Sequence, residues 1–363
     1  MKPYISVVIK PTLYCNESCS HCYHTPGERI PGNISLETLD RLFEMVSNEY
    51  QSAWFIWHGG EPMTLPMSFY KSVMELEEKH FGKNTFRVGN TIQTNGTLLN
   101  RRFMAYCREK AINVGVSWEG PYNGVLRELD PEKAVSMLSD KDNRYSVSST
   151  ISAETALKQK ELYRFFRDRG TNLSLSPVIP AGCARCGNTV PDPDDYIRGS
   201  IEAFDEWLHD ADSKIPLVPH YLYMLNYLGD PTPSDCAHTS CLTKWICVNP
   251  DGSIYPCAKA CPEEFRMGNV NEPSHRRDSN ASWRGPSPAG RSAQHARSTA
   301  IATADAAWMH ITNAGWRTTE GTRAGSSARS SVTSHRPSRP YWMGRRMFRG
   351  SIRSSAMPSW ASW

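Results

Sequence analysis

Two absences frame this 363-residue chain. No run approaches the roughly 18 consecutive apolar residues that a membrane-spanning helix needs, and no cysteine follows Cys261 although eleven precede that point or lie at it. The first absence removes a helical membrane anchor from the expectations. Met1-Lys2-Pro3 leads into an apolar run of only five residues, too short for a secretory h-region, so the expected location is cytoplasmic and reducing. Lysine is also missing from His275 onward, where 14 Arg stand against 3 acids, a net of +11. The preceding part carries 27 Lys and Arg against 34 Asp and Glu, a net of −7. The overall charge of +4 therefore belongs to the tail, and a nucleic-acid-binding face on the folded body is not expected.

What is present begins with cysteine. Cys15, Cys19 and Cys22 follow the strand-like run Ile5–Ile9 with spacing C-x3-C-x2-C. Three thiols in eight residues can hold an iron–sulfur cluster with one iron left open, a zinc ion, or serve as redox or inert thiols. A second group comprises Cys236, Cys241, Cys247, Cys257 and Cys261, with Asn249-Pro250-Asp251-Gly252 reading as a turn between two short strands. Its alternative is a zinc ribbon. Cys183-x2-Cys186 stands apart; it could donate to a cluster, bind zinc with part of the later group, or be an adventitious pair. Cys107 sits in a helical pattern as a small hydrophobe.

Between the cysteine groups, apolar runs alternate with helical patterns. Strands are expected at Ile5–Ile9, Ala53–Trp57, Arg87–Gln93, Ile112–Trp118, Tyr145–Ile151 and Leu173–Val178. Helices are expected after Ser35 as N-cap (Leu36, Leu39, Leu42, Phe43 and Val46 forming the apolar face) and near 67–81, 98–110, 131–139, 154–169 and 194–211. Polar and glycine-rich stretches follow strands one to four, where α/β folds build sites. The expected fold class is α/β, a partial (β/α)6 TIM-type barrel followed by a small cysteine-rich extension; the alternative is a doubly wound open sheet. The expected domains are 1–215 (barrel), 216–272 (cysteine-rich, incomplete) and 273–363 (Ser/Arg/Trp-rich tail). The tail holds six of the eleven Trp, which fits poorly with an ordinary disordered segment. Out-of-frame translation from near codon 275 fits it better. The coding DNA checks this: no cysteine-rich continuation in either other frame would contradict it.

The triple-cysteine loop, followed after the second strand by Gly59-Gly60-Glu61-Pro62, resembles the radical S-adenosylmethionine (radical SAM) superfamily. Gln93-Thr94-Asn95-Gly96-Thr97 and Ser117-Trp118-Glu119-Gly120-Pro121 resemble the subgroup that contains anaerobic sulfatase-maturating enzymes and other peptide maturases. The region from Cys241 resembles the SPASM extension. The resemblance implies a [4Fe-4S] cluster on Cys15, Cys19 and Cys22, with SAM bound at its open iron. Reductive cleavage of SAM then gives a 5′-deoxyadenosyl radical that takes hydrogen from a peptide or protein side chain. It implies further that His21 stands where the family places an aromatic near adenine, that Gly59, Gly60 and Glu61 receive the SAM amino group, and that Ser117 and Arg127 contact SAM. Packing is the expected role of His58. Cys241, Cys247 and Cys257 would hold an auxiliary [4Fe-4S] cluster; the family's later cysteine run is missing here. Implied partners are a peptide or protein substrate and an electron donor such as flavodoxin or ferredoxin, with no nucleic acid and no membrane. In sulfatase maturases an Asp follows the cysteine matched by Cys257, and here it is Ala258, which cannot act as a base. A maturase acting on another peptide is therefore the leading expectation. The alternatives are a sulfatase maturase converting Cys or Ser to formylglycine, a non-enzymatic metal-binding module, and an inactive truncated homologue.

Overall fold

The computed structural model describes residues 2–24, 32–82, 87–136, 145–228, 244–259, 261 and 263–272. Cys236, Cys241 and everything from 273 lie outside the described residues. Strand β1 (Ile5–Thr12) is followed by helix α1 (Leu36–Glu49), and the alternation continues through β2 (Ser52–Gly59), α2 (Met67–Phe81), β3 (Arg87–Thr94), α3 (Arg101–Glu109), β4 (Asn113–Ser117), α4 (Glu132–Ser136), β5 (Tyr145–Ile151), α5 (Gln159–Asp168), β6 (Asn172–Pro177) and α6 (Pro193–His209). Then come β7 (Leu217–Val218), α7 (His220–Tyr227), β8 (Trp245–Val248), β9 (Ser253–Tyr255) and β10 (Gly268–Asn269).

All these strands form one sheet in the order β10-β9-β8-β1-β2-β3-β4-β5-β6-β7. From β8 through β1 to β7 every neighbouring pair is parallel, and the β8–β9 and β9–β10 pairs are antiparallel. Strands one to seven run in sequence order without reversal. A doubly wound sheet must reverse its order at a switch point, so this winding is that of a partial barrel. The turn at Asn249–Gly252 does join two short strands, and β8 lies along the outer edge of β1, so the cysteine-rich hairpin continues the barrel sheet.

Local chemistry explains the elements. The Ser35 hydroxyl accepts the Thr38 amide at 3.0 Å and caps α1. Leu39, Leu42, Phe43 and Val46 are fully buried, each contributing roughly 1.5–3 kcal/mol of burial. Leu36 differs from expectation: at the first helical position it points outward and is 42% exposed. The expected helix at 154–169 starts as a tight turn, because Ser152 and Thr155 cap each other's amides, and becomes α5 only at Gln159.

Strand alternation divides the sheet into two faces. Ile5, Val7 and Ile9 of β1 pack with Ala53, Phe55 and Trp57 of β2 in the main core, together with Phe43, Tyr70 and Phe103. The opposite face carries Val8, Trp54 and Ile56 packed with Cys247 and Tyr255. Register places Cys247, Val8, Ile56 and Thr91 in one row across β8, β1, β2 and β3. Farther round, this inner face becomes hydroxylic, with Ser117, Ser148, Thr150 and Ser176 all facing one cavity.

Candidate active site

The cavity has a volume of about 310 Å³ and opens at the C-terminal ends of the parallel strands. Its wall includes Cys15, Cys19, His21 and Cys22 from the first cysteine loop, Gly59, Gly60 and Glu61 after β2, Ser117 at the end of β4, Arg127, and Cys257 beyond β9. Of the residues expected from the sequence, Cys247 is not on this wall; it is fully buried within β8. Cys241 lies outside the described residues.

The first cysteine loop is held from three sides. From β2, the Gly60 amide donates to Thr12 O at 2.9 Å and the Glu61 amide to Tyr14 O at 2.8 Å. A Cβ on Gly60 would lie 2.0 Å from the Tyr14 carbonyl oxygen, so only glycine permits this approach. The glycine requirement therefore answers to the chain's own loop; sequence alone had suggested approach to a ligand. From β3, Asn95 Nδ2 donates to Asn16 Oδ1 at 2.9 Å, and Asn16 Nδ2 donates to Thr97 Oγ1 at 2.9 Å. From the loop after β6, the Cys183 amide donates to Cys22 O at 2.8 Å, and Gly182 presses against Tyr23 at positive φ. Cys183 thus lies beside the first cysteine loop, its thiol directed at the His24 carbonyl at 3.2 Å, while Cys186 is exposed. Cys107 is buried on α3, as a small hydrophobe would be.

Glu61 is buried and fully engaged. It accepts from Met63 N at 2.8 Å, Thr94 Oγ1 at 2.8 Å and Asn95 N at 2.7 Å. Burial still pushes its carboxyl up to about 7, the three donors only partly opposing. In this arrangement Glu61 braces the β2 and β3 loops against each other.

Arg127 is buried, not a solvated helix-start charge. Its Nε donates to Glu119 Oε2 at 2.6 Å and its NH2 to Glu119 Oε1 at 3.2 Å, a fork on one carboxylate. Glu17 lies 3.8 Å away on its other side. The remaining guanidinium edge faces Cys19 Sγ at 3.5 Å and His21 Nε2 at 3.4 Å. Because Arg127 can only donate, Nε2 of His21 accepts, and the ring proton sits on Nδ1. Burial, then the neighbouring Arg127 charge, lowers His21 to about 4, so the ring is neutral at pH 7. Glu17 is raised by burial, with Arg127 and the Leu129 amide opposing. Glu119 is a site residue that the sequence motifs alone do not single out. The available signal was an acid directly after a barrel strand.

The residues fit a cluster and a polar ligand. Among the described residues no three His, Cys, Asp or Glu side chains converge closely enough for a single metal ion. Cys19 is pushed up to about 12 by burial, with Arg127 opposing. His21 Nδ1 and Gln93 Oε1 are buried on this wall with no protein partner, as expected where a ligand completes the hydrogen bonding. Gln93 itself is aimed by donating Nε2 to Ser117 Oγ at 2.8 Å.

Residues 9–138 match the sequence model of the radical SAM superfamily. Over that stretch the chain is similar to radical SAM enzymes. It is 26% identical over 293 residues to a cysteine-type anaerobic sulfatase-maturating enzyme of Clostridium perfringens, covering 74% of this chain and 78% of the relative. It is 24% identical over 299 residues to a serine-type anaerobic sulfatase-maturating enzyme of Bacteroides thetaiotaomicron, covering 73% and 72%. Its structure resembles that of native anSMEcpe with bound AdoMet and the Kp18Cys peptide, with a TM-score of 0.64 at 25% identity over 74% of this chain and 78% of that one. Among the described residues no helix is long and apolar enough to cross a membrane.

The second cysteine region packs beneath the same cavity. Cys247 is fully buried, and burial and its bond with Cys261 push its thiol well up. Lys10 is 1% exposed, and its Nζ donates to Ala258 O at 2.8 Å and Cys261 Sγ at 3.3 Å. The sequence signal for Lys10 is a single charge inside an otherwise apolar strand.

Proposed function

We propose that this chain is a radical SAM maturase acting on a peptide or protein side chain. Cys15, Cys19 and Cys22 would hold a [4Fe-4S] cluster, and SAM would occupy the space bounded by Gly59–Glu61, Gln93, Ser117, His21 and Arg127. Held by these residues, a cluster and SAM would supply the one-electron chemistry needed to remove a hydrogen atom from a substrate side chain. The chain's own residues set the stage for this. Arg127, oriented by Glu119, places positive charge beside Cys19. Neutral His21 offers an Nδ1 donor and a flat ring. Ser117 and Gln93 present a hydroxyl and an amide oxygen. Glu61 keeps the β2 and β3 loops fixed while the cavity fills.

The single observation that carries this reading is the meeting of the three-cysteine loop with these orphaned polar atoms around one cavity. Relatives named as cysteine-type and serine-type maturases are similarly distant, so neither residue is favoured as substrate by likeness. Ala258 removes the acid expected beside Cys257, and a peptide other than a sulfatase is the better-supported substrate. Cys247 and Cys257 are proposed as auxiliary-cluster ligands, and the electron donor as a flavodoxin or ferredoxin. The test is anaerobic reconstitution with iron and sulfide, then reduction in the presence of SAM. The expected result is iron–sulfur absorbance and release of 5′-deoxyadenosine. Stoichiometric zinc with no SAM cleavage would contradict the reading.

A further inference from the structure

The cavity has two sides with different charge. On the side of the first cysteine loop its two carboxylates are already committed, Glu61 to Met63, Thr94 and Asn95, and Glu17 to the Leu129 amide and Arg127. The other side is formed by His58, Trp245, Pro256, Cys257, Ala258 and Lys259. Lys259 is exposed at the cavity wall, and Lys10 lies directly beneath, bonded to the Ala258 carbonyl. Among the described residues neither lysine has a carboxylate partner. Lys10 is satisfied by the Ala258 carbonyl, the Cys261 sulfur and the Tyr23 ring face, so Lys259 is the cation this wall turns toward an incoming anion.

His58 reports the same field. Burial, then the Lys10 and Lys259 charges, lowers it to about 4, and its Nδ1 is buried without a partner. It is uncharged at neutral pH and is therefore a weak base there. With Ala258 alongside, this side presents the Lys259 cation and, among the side chains that form it, no carboxylate. A reacting residue that had to lose a proton to a carboxylate would find none on it. One that arrives already negative would find a counter-charge.

We propose that this wall selects a peptide carrying an anionic side chain, carboxylate or thiolate, at or next to the reacting residue, with Lys259 as its ion-pair partner. Lys10 supports the same field from below. The proposal deepens the maturase reading and rests on it for the peptide; its test is binding, which needs no SAM cleavage.

The full chain, immobilised anaerobically, is exposed to a synthetic peptide library randomised at every position, and captured peptides are sequenced by mass spectrometry against the input pool. Wild type should enrich Asp, Glu or Cys at one position by about five-fold, the range an ion pair near a protein surface supports. Lys259→Gln should remove the enrichment, and Lys259→Glu should replace it with Lys or Arg. Lys259 is exposed, so unchanged thermal unfolding verifies that both variants fold. Enrichment of Asp and Glu alone identifies a carboxylate; enrichment of Cys that disappears after alkylation identifies a thiolate. A wild-type pool with no anionic enrichment, or enrichment untouched by Lys259→Glu, overturns the proposal. Absence of SAM cleavage by the wild type would instead sink the maturase reading and leave the binding result standing.

Discussion

The two cysteine regions use the same side chain in opposite settings. Cys15, Cys19 and Cys22 are partly exposed on a cavity wall, and their loop is fixed by backbone bonds from β1, β2 and the loop after β6. Cys247 is sealed inside the sheet, with Cys257 and Cys261 gathered around Lys10 and the half-buried Tyr23 ring. The difference teaches that spacing alone does not set a thiol's role. The first loop presents all three thiols to the cavity; the second group presents Cys257 and keeps Cys247 within the sheet. Tyr23 connects the two. It follows Cys22 directly, and burial together with the nearby Cys22, Cys247, Cys257 and Cys261 raises its hydroxyl far above the usual range.

The sharpest way to break this comparison is to remove cysteines one region at a time. Cys19→Ala or Cys22→Ala should abolish SAM cleavage and strip the iron held by the first loop, read by iron analysis and 5′-deoxyadenosine yield. Cys257→Ala should keep both. Loss of SAM cleavage in Cys257→Ala equal to that in Cys19→Ala would erase the distinction.

Next in size is the backbone support of the open loop. Gly60→Ala forces a Cβ to 2.0 Å from Tyr14 O, an overlap with backbone that should cost about 3–4 kcal/mol. A fall in denaturation midpoint with loss of the cluster is expected. An unperturbed midpoint would show that the loop yields freely.

Arg127→Met should follow, at about 3–5 kcal/mol, because it strands the buried Glu119 and Glu17 carboxylates. Adding Glu119→Gln should recover part of that loss. No recovery would mean that Arg127 acts by packing alone.

The smallest effect lies away from both regions and serves as their control. Glu77 is buried, donated to among the described residues by Asn90 Nδ2 alone at 2.9 Å, and burial raises its carboxyl to about 8. A raised carboxyl means that the folded state holds a proton the unfolded state has released. Its contribution to stability therefore falls as pH rises from about 4.5 to about 8. Glu77→Gln should flatten that fall by about 1 kcal/mol or more, measured by denaturant unfolding at both pH values, with SAM cleavage unchanged. A steeper fall in the variant would contradict the assignment.

Much of the fold was legible because its signals are local. Six strands and their helices follow from runs and periodicity, and Ser35 announced its helix by a hydroxyl three residues before the amide it caps. Cys15–Cys22 and Gly59–Glu61 stood out because their chemistry is written within a few residues. Glu119, Glu17 and Lys10 did not, since each matters through a partner that periodicity cannot reveal. Arg127 meets Cys19 across 108 residues, and Lys10 meets Ala258 across 248. The placement of β8 beside β1 was equally hidden, because strand pairing across the whole chain depends on which edge the barrel leaves open. Gly60 was recognised as special for the wrong neighbour: it yields space to the Tyr14 carbonyl.

The most direct test of the central claim is electron paramagnetic resonance of the reduced, iron-reconstituted Cys257→Ala chain, with and without SAM. A cluster on Cys15, Cys19 and Cys22 with an open position predicts a signal that changes when SAM is added, and no such change in Cys19→Ala. A signal indifferent to SAM while Cys15, Cys19 and Cys22 are intact would contradict it.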